Sequence, residues 1–311
     1  VTTDPASLVE RALRADRSAI AKLISLVETG GVAAFEAVAL LYRHTGRAYT
    51  VGVTGAPGTG KSTLTDALIA RIRSDGEEVG VLAIDPTSPF SGGAILGDRV
   101  RMQDHATDIG VYIRSMATRG HLGGLSLATP QAVRVLDAAG KPWILVETVG
   151  VGQVEVEIAG AADTTMVVVT PGWGDGVQAN KAGLLEIADL FVVNKADREG
   201  AIETARELEL MLDLSGHSGW RPPIVQTVAT TGEGVDDLWD AVGTHRAHLE
   251  TDGGLARRRE ERLREELRGI VLARLQDRAE AQCRGARFDE LVARVAARRL
   301  DPYAAAAELL A

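Results

Sequence analysis

The stretch VGVTGAPGTGKST, residues 51–63, constrains the fold more tightly than any other part of the chain. Glycine is unfavourable inside strands and inside helices. A cluster of it between an apolar run and a lysine marks a place where the backbone itself must approach something closely. Gly55-Ala56-Pro57-Gly58-Thr59-Gly60-Lys61-Ser62 has the spacing G-x-x-x-x-G-K-[ST]. It follows the apolar run YTVGVT and opens the helical pattern LTDALIARIRS, which is the context that the spacing requires. There, successive backbone N–H groups can converge on a phosphate chain. The new helix adds its unpaired N–H groups and the positive end of its dipole. Lys61, expected to face solvent or ligand, reaches the β- and γ-phosphates; Ser62 offers a hydroxyl to Mg²⁺; Thr63 can bond the α-phosphate. The competing account is a chance glycine-rich turn between strand and helix. The loop implies a nucleoside triphosphate without choosing its base.

Around this loop, short β-branched runs alternate with helical segments. The runs are YTVGVT (49–54), VGVLAI (79–84), VYIRS (111–115), WILVET (143–148), TTMVVVT (164–170), LFVVNK (190–195) and PIVQTV (223–228). Several are apolar without strict alternation, as strands covered on both faces are. Strands of this kind alternating with helices predict a mainly parallel, doubly wound α/β sheet with right-handed crossovers. Residues 5–46 read as helical, broken by the glycines at 30–31. From about 254 the strands stop. LARRREERLREELRGIVLARLQDRAEAQ reads as one long helix striped by Leu263, Leu267, Ile270, Val271 and Leu275, with Arg and Glu spaced to pair along its other faces. FDELVARVAARRL follows as a second helical piece. The long helix is either a solvated face packed on its own domain or an arm that meets a second subunit. The expected partition is an N-terminal helical extension (1–47), a P-loop domain (48–250) and a C-terminal helical dimerisation arm (251–311).

Two further stretches bear on the ligand. Asn194-Lys195-Ala196-Asp197 ends the strand LFVVNK. Asp197 can accept from both N1–H and the 2-amino group of guanine, Asn194 can bond the base edge and brace the loop, and Lys195 can lay its stem over the ring. Adenine lacks both donors and would leave Asp197 desolvated and unpaired, a mismatch that discriminates strongly. Alone, such a tetrapeptide is as often a surface turn. Glu147-Thr148-Val149-Gly150 ends the strand WILVET. A carboxylate there can orient Mg²⁺ through water, and the Gly150 N–H can meet a γ-phosphate. An acidic residue at a strand end is common, and its value lies in the order along the chain: loop, acidic-x-x-Gly, NKAD.

Composition removes several classes. The net charge of −9 argues against a general grip on nucleic acid. A single cysteine, Cys283, excludes an intrachain disulfide and a multi-thiolate zinc site and fits a reducing compartment. No apolar stretch reaches the roughly 18 residues that span a bilayer. The N-terminal residues lack the apolar segment of a secretory signal. A cytoplasmic protein is expected, bound to neither membrane nor nucleic acid.

The chain resembles the MeaB/ArgK family of P-loop GTPases of the SIMIBI class. The resemblance covers nearly the whole chain. It rests on VTGAPGTGKST, AIDPTSPFSGGAILGDRVRM (83–102), RGHLGGLS (119–126), ETVGVGQVEVEIA (147–159), PGWGDGVQANKAGLLEIAD (171–189), NKAD and TGEGVDDLW (231–239). It implies GTP and GDP as ligands, Mg²⁺ as cofactor, a homodimer, and attendance on the adenosylcobalamin enzyme methylmalonyl-CoA mutase. By the same resemblance Asp85 and Asp98 are the acidic residues of the magnesium and switch region, and Glu147 is the Mg²⁺-associated carboxylate. Asp-Pro and Gly-Asp are also plain loop signals, and spacing alone does not separate the two accounts of Asp85 and Asp98. Residues 171–189 resemble a further switch segment, with Gln178 and Lys181 as candidate relay residues; from composition alone it is a flexible surface loop. Where the family commonly has Ser-Ala before TGEG, this chain has Val228-Ala229-Thr230. The Ala229 N–H remains to meet the guanine carbonyl, and the missing serine hydroxyl implies weaker loop bracing.

The expected reaction is hydrolysis of GTP, with Lys61, loop N–H groups and Mg²⁺ stabilising charge on the transferring phosphoryl group. Gln153 is the nominee for orienting water, or else a polar residue of a mobile switch. Arg114 and Arg119 lie in the right region of sequence for an arginine finger, though neither declares itself. Two other classes compete. A metallochaperone GTPase needs Cys or His clusters, and the chain has one Cys and six scattered His. A small-molecule kinase needs an acceptor site and a base, and neither is legible.

Overall fold

In the computed structural model, the described residues are 4–86, 105, 107–118, 124–148, 160–172, 183, 185–214, 219–251 and 253–310. Contacts divide the chain into two compact units, Val1–Arg262 and Leu263–Ala311.

The first unit opens with α1 (Pro5–Ala12), α2 (Arg17–Thr29) and α3 (Val32–Tyr42). Asp4 caps α1, with Pro5 at its first turn, and Asp16 caps α2 by accepting from the Ser18 and Ala19 amides at 2.9 and 3.1 Å. The periodicity runs through this junction as one helix. The chain instead breaks it, because Ala15 takes φ 59° and Asp16 offers a better N-terminus, held in turn by Arg11.

Seven described strands follow: β1 (Tyr49–Thr54), β2 (Val79–Pro86), β3 (Val111–Thr118), β4 (Trp143–Thr148), β5 (Thr164–Val169), β6 (Leu190–Asn194) and β7 (Ile224–Thr227). They form one sheet in the order β3-β2-β4-β1-β5-β6-β7, and every pair is parallel. These are the runs expected from sequence. Four of them (β1, β5, β6 and, after its first residue, β4) are buried throughout, which is why their apolar residues do not alternate with polar ones.

The helices of the crossovers are α4 (Lys61–Ser74), α5 (Gly124–Ala138) and α6 (Ala201–Leu214), and α7 (Val235–Thr251) follows the last strand. Successive residues of each strand serve opposite faces. Leu82, Ile84, Ile144 and Val146 pack with α1, α2, α3 and α5, whereas Val79, Val81, Val51, Val53 and Leu145 pack with α4 and α7. Val167, Val169, Phe191 and Val193 meet α6. The N-terminal helices thus share a core with the sheet. β1 lies between β4 and β5, where the direction of winding changes, and such a switch point opens a crevice at the C-terminal ends of the strands.

Helix α8 (Gly254–Gln282) starts in the first unit and runs into the second, which continues with α9 (Ala286–Ala296) and α10 (Pro302–Leu310). Within the second unit Leu291 and Ala305 are buried, and Arg294 meets Glu308 at 2.8 Å. Leu263, Leu267, Val271 and Leu275 are exposed. Among the described residues no helix is long and apolar enough to cross a membrane.

Candidate nucleotide site

The ends of four adjacent strands bring the motifs together. β1 delivers Gly55 and the loop to the first turn of α4, whose N-cap is Gly60 at φ 90°. Two contacts dictate glycine here. A Cβ on Gly55 would stand 2.1 Å from the Val168 carbonyl oxygen of β5, and one on Gly60 would stand 2.5 Å from Asn194 Nδ2. Ala56, Pro57 and Gly58 are exposed along the rim, while Thr59 is buried and donates to the Ala56 carbonyl at 2.9 Å. Thr63 is half-buried on α4.

Lys61 differs from expectation. It is buried rather than turned to solvent, and its Nζ donates to the carbonyls of Gly55 (2.6 Å) and Ala56 (3.0 Å). The ammonium group therefore lies inside the loop it serves. Ser62, next along, donates from its hydroxyl to Glu147 Oε1 at 2.6 Å. Glu147 is 1% exposed, and register sets it beside Val53, two residues before Gly55. A hydroxyl and a carboxylate side by side at a phosphate loop are hard oxygen donors. They fit Mg²⁺, which keeps most of its ligands as water and phosphate and asks for one or two from the protein. Asp85 lies next to the end of β2, beside Ala117, and only its backbone is described. Asp98, Gly150, Gln153, Gln178 and Lys181 lie outside the described residues, as does Arg119. Arg114 is committed elsewhere: it donates to Glu28 at 2.9 Å and Ser25 at 2.8 Å, both on α2.

The NKAD stretch meets the loop directly. Asn194 Nδ2 donates to the Thr59 carbonyl at 2.8 Å, and Lys195 Nζ donates to the Gly58 carbonyl at 2.6 Å. Lys195 sits at φ 60°, in the left-handed region, where a non-glycine residue is costly and commonly tied to function. Asp197 is exposed in the turn that follows. Asn194 Oδ1 accepts from Thr227 Oγ1 and from the Ala229 amide, both at 3.2 Å. Thr227 was not singled out from sequence, although it is the last residue of a strand that was. Its buried hydroxyl, one position before Val228, supports Asn194. Val228 is buried and pairs with Glu233 in an antiparallel bridge that closes the TGEG turn, and Thr230 is exposed within that turn.

A second polar cluster, unread from sequence, lies at the opposite, N-terminal ends of the strands β1, β5 and β6. His245 of α7 is 1% exposed; its Nδ1 lies 2.8 Å from Thr164 Oγ1 and its Nε2 lies 3.3 Å from Asp189 Oδ1. A lone pair facing a carboxylate would be repelled, so Nε2 carries the proton. Nδ1 then accepts from Thr164, whose oxygen accepts from Tyr49 at 2.7 Å. Burial pushes His245 down to about 4 and Tyr49 up to about 12. Asp163 is buried as well. Burial raises its carboxyl, but the hydrogen bond from Arg259, the charges of Arg262 and Arg259 and the Thr50 amide outweigh that and hold it below the usual range.

The chain is similar to several known proteins. The family described as "Methylmalonyl Co-A mutase-associated GTPase MeaB" matches residues 20–284. A Pyrococcus abyssi protein named as a GTPase is 54% identical over 307 residues, which is 97% of this chain and 95% of that protein. The mouse "Methylmalonic aciduria type A homolog, mitochondrial" is 34% identical over 268 residues, covering 80% of this chain and 64% of the mouse protein. A crystal structure of "LAO/AO transport system kinase" superposes with a TM-score of 0.74 at 25% identity, covering 99% of this chain and 97% of that one.

Proposed function

The chain belongs to the MeaB family of methylmalonyl-CoA mutase-associated GTPases, and from that premise we propose that it couples GTP hydrolysis to the loading, protection or reactivation of a cobalamin-dependent acyl-CoA mutase. It is a P-loop GTPase and hydrolyses GTP to GDP and phosphate.

The observation that carries the assignment of the site is the direct hydrogen bonding of NKAD to the phosphate loop: Asn194 to Thr59 and Lys195 to Gly58. One crevice thereby offers a grip on phosphate and a reader of guanine. In it, Gly55 to Thr63 bind the phosphates through main-chain N–H groups, and Lys61 exchanges its carbonyl partners for phosphoryl oxygens. Asp197 reads the N1–H and 2-amino group of the base, Asn194 and Ala229 its other edge, with Val228 and Thr230 shaping the turn. Ser62 and Glu147 would hold Mg²⁺, with Asp85 and Asp98 as further carboxylates that reach it through water. The ion supplies neutralisation of charge on the β- and γ-phosphates. Gly150 takes the γ-phosphate, and Gln153 orients water. Binding of the γ-phosphate biases a two-state element, read out through Gln178 and Lys181.

The remaining assignments support the same picture. The exposed stripe Leu263, Leu267, Val271 and Leu275 suits a homodimer built by a C-terminal arm, residues 251–311, alongside the helical extension 1–47 and the GTPase domain 48–250. The single cysteine, Cys283, is free and exposed, which suits the cytoplasm.

The test is phosphate release from GTP, alone, with methylmalonyl-CoA mutase, and with arginine. The mutase should accelerate release. Acceleration by arginine with a phosphorylated product would instead assign a small-molecule kinase, the activity named for the LAO/AO protein. No change with the mutase would remove the proposed partner and leave the GTPase standing.

A further inference from the structure

Helix α8 buries none of its 29 residues. A helix without an apolar face in a core needs another form of attachment. At its root that attachment is ionic. Arg258 meets Asp189 with two nitrogens, at 2.7 and 2.8 Å, and donates to the Asp163 carbonyl at 2.6 Å. Arg259 reaches both oxygens of Asp163, at 3.1 and 2.8 Å, and the carbonyls of Gly46 and Ala48 at 3.1 and 2.8 Å. Arg262 pairs with Asp163 as well. Asp163 and Asp189 immediately precede β5 and β6, at the N-terminal ends of the strands, away from the phosphate loop. Leu255 adds a partly buried contact with the core beneath α4 and α7.

The two sides of these pairs differ in what they lose on separation. Each carboxylate keeps a main-chain donor of its own: the Thr50 amide at 3.0 Å for Asp163 and the Thr165 amide at 2.8 Å for Asp189. The arginine side chains are 20 to 35% exposed and already reach water. Apart from Leu255, the apolar helix residues that pack on the sheet come from the other helices.

We propose that Asp163 and Asp189, with Arg258, Arg259 and Arg262, form a separable clasp that fastens the first turns of α8 to the sheet and can open while the sheet and the nucleotide site stay folded. The clasp is distinct from the nucleotide chemistry, and its opening is a local event of the kind that hydrogen exchange resolves.

The experiment is hydrogen exchange by mass spectrometry on the full chain, comparing wild type with Arg258→Gln/Arg259→Gln. A companion variant adds Asp163→Asn and Asp189→Asn, so that no buried carboxylate is stranded without a cation. In both, exchange over residues 254–262 should rise at least tenfold, while β1, β5 and β6 keep their protection and GTP turnover stays within twofold. Unchanged exchange over 254–262 would show that the arginines do not fasten the helix. Loss of protection across β5 and β6, or failure of both variants to fold, would show the cluster to be part of the core and overturn separability.

Discussion

Acid should weaken this protein through one histidine, and the size of the effect follows from its surroundings. His245 is enclosed, holds its proton on Nε2 toward Asp189, and accepts from Thr164 on Nδ1, so a second proton is disfavoured in the fold. Its pKa is pushed from 6.5 in the open chain to about 4. As pH falls below 6.5 the unfolded chain binds the proton first, and stability declines until about pH 4, where the folded form binds it too. Above pH 6.5 the term is constant. The gap of 6.5 minus about 4 is roughly 2.5 pH units, which at about 1.4 kcal/mol each comes to about 3 kcal/mol. His245→Gln retains a donor and an acceptor but does not titrate. Urea unfolding followed by far-ultraviolet circular dichroism, from pH 7 to pH 4.5, should show wild type losing stability more steeply than the variant. Any fixed cost of Gln at pH 7 drops out of that difference, as do the other titrating groups the two proteins share. Parallel curves would refute the buried neutral imidazole.

Three further outcomes follow from the nucleotide site. Lys61→Ala should cut GTP turnover by about 10²-fold or more with the circular dichroism spectrum unchanged, since one preorganised donor to a transferring phosphoryl group is worth about that much; near-normal turnover would remove Lys61 from the site. Asp197→Asn should weaken GTP and gain xanthosine triphosphate, whose 2-position accepts rather than donates, and competition binding that shows an unaltered preference would count against NKAD as base reader. Thr227→Val deletes a buried donor to Asn194 worth about 1 kcal/mol and should raise the Kd for GTP about fivefold by calorimetry, with kcat less affected; an unchanged Kd would leave Thr227 a strand residue only.

What was legible in the sequence was what depends on local pattern. Seven apolar runs became seven parallel strands, the central ones enclosed on both faces, and the phosphate loop was readable because its glycines, lysine and serine act within eight residues. What was not legible depends on partners far away along the chain. The arginines of α8 read as pairing with glutamates on the same helix, yet Arg258 and Arg259 meet carboxylates 69 and 96 residues earlier. His245 read as one of six scattered histidines until Thr164 and Asp189 closed around it. Lys61 was expected to face outward, since its sequence neighbours do not reveal that the loop folds two carbonyls over it. The loss of serine before Ala229 implied a looser base loop, and the Thr227 hydroxyl that supports Asn194 sits on a strand end whose side-chain direction no short motif encodes.

The closeness of Gly60 to Asn194 has a consequence for how such a protein can change. The atom that a methyl group at position 60 would strike, 2.5 Å away, is the amide nitrogen that also supports Thr59. Enlarging the phosphate side therefore dislodges the residue that steadies the purine side, and a mutation meant to retune one half of the crevice is felt at once in the other. In the proposed site, triphosphate grip and nucleobase choice would be coupled, and an altered base preference would have to arise farther out, at the exposed Asp197.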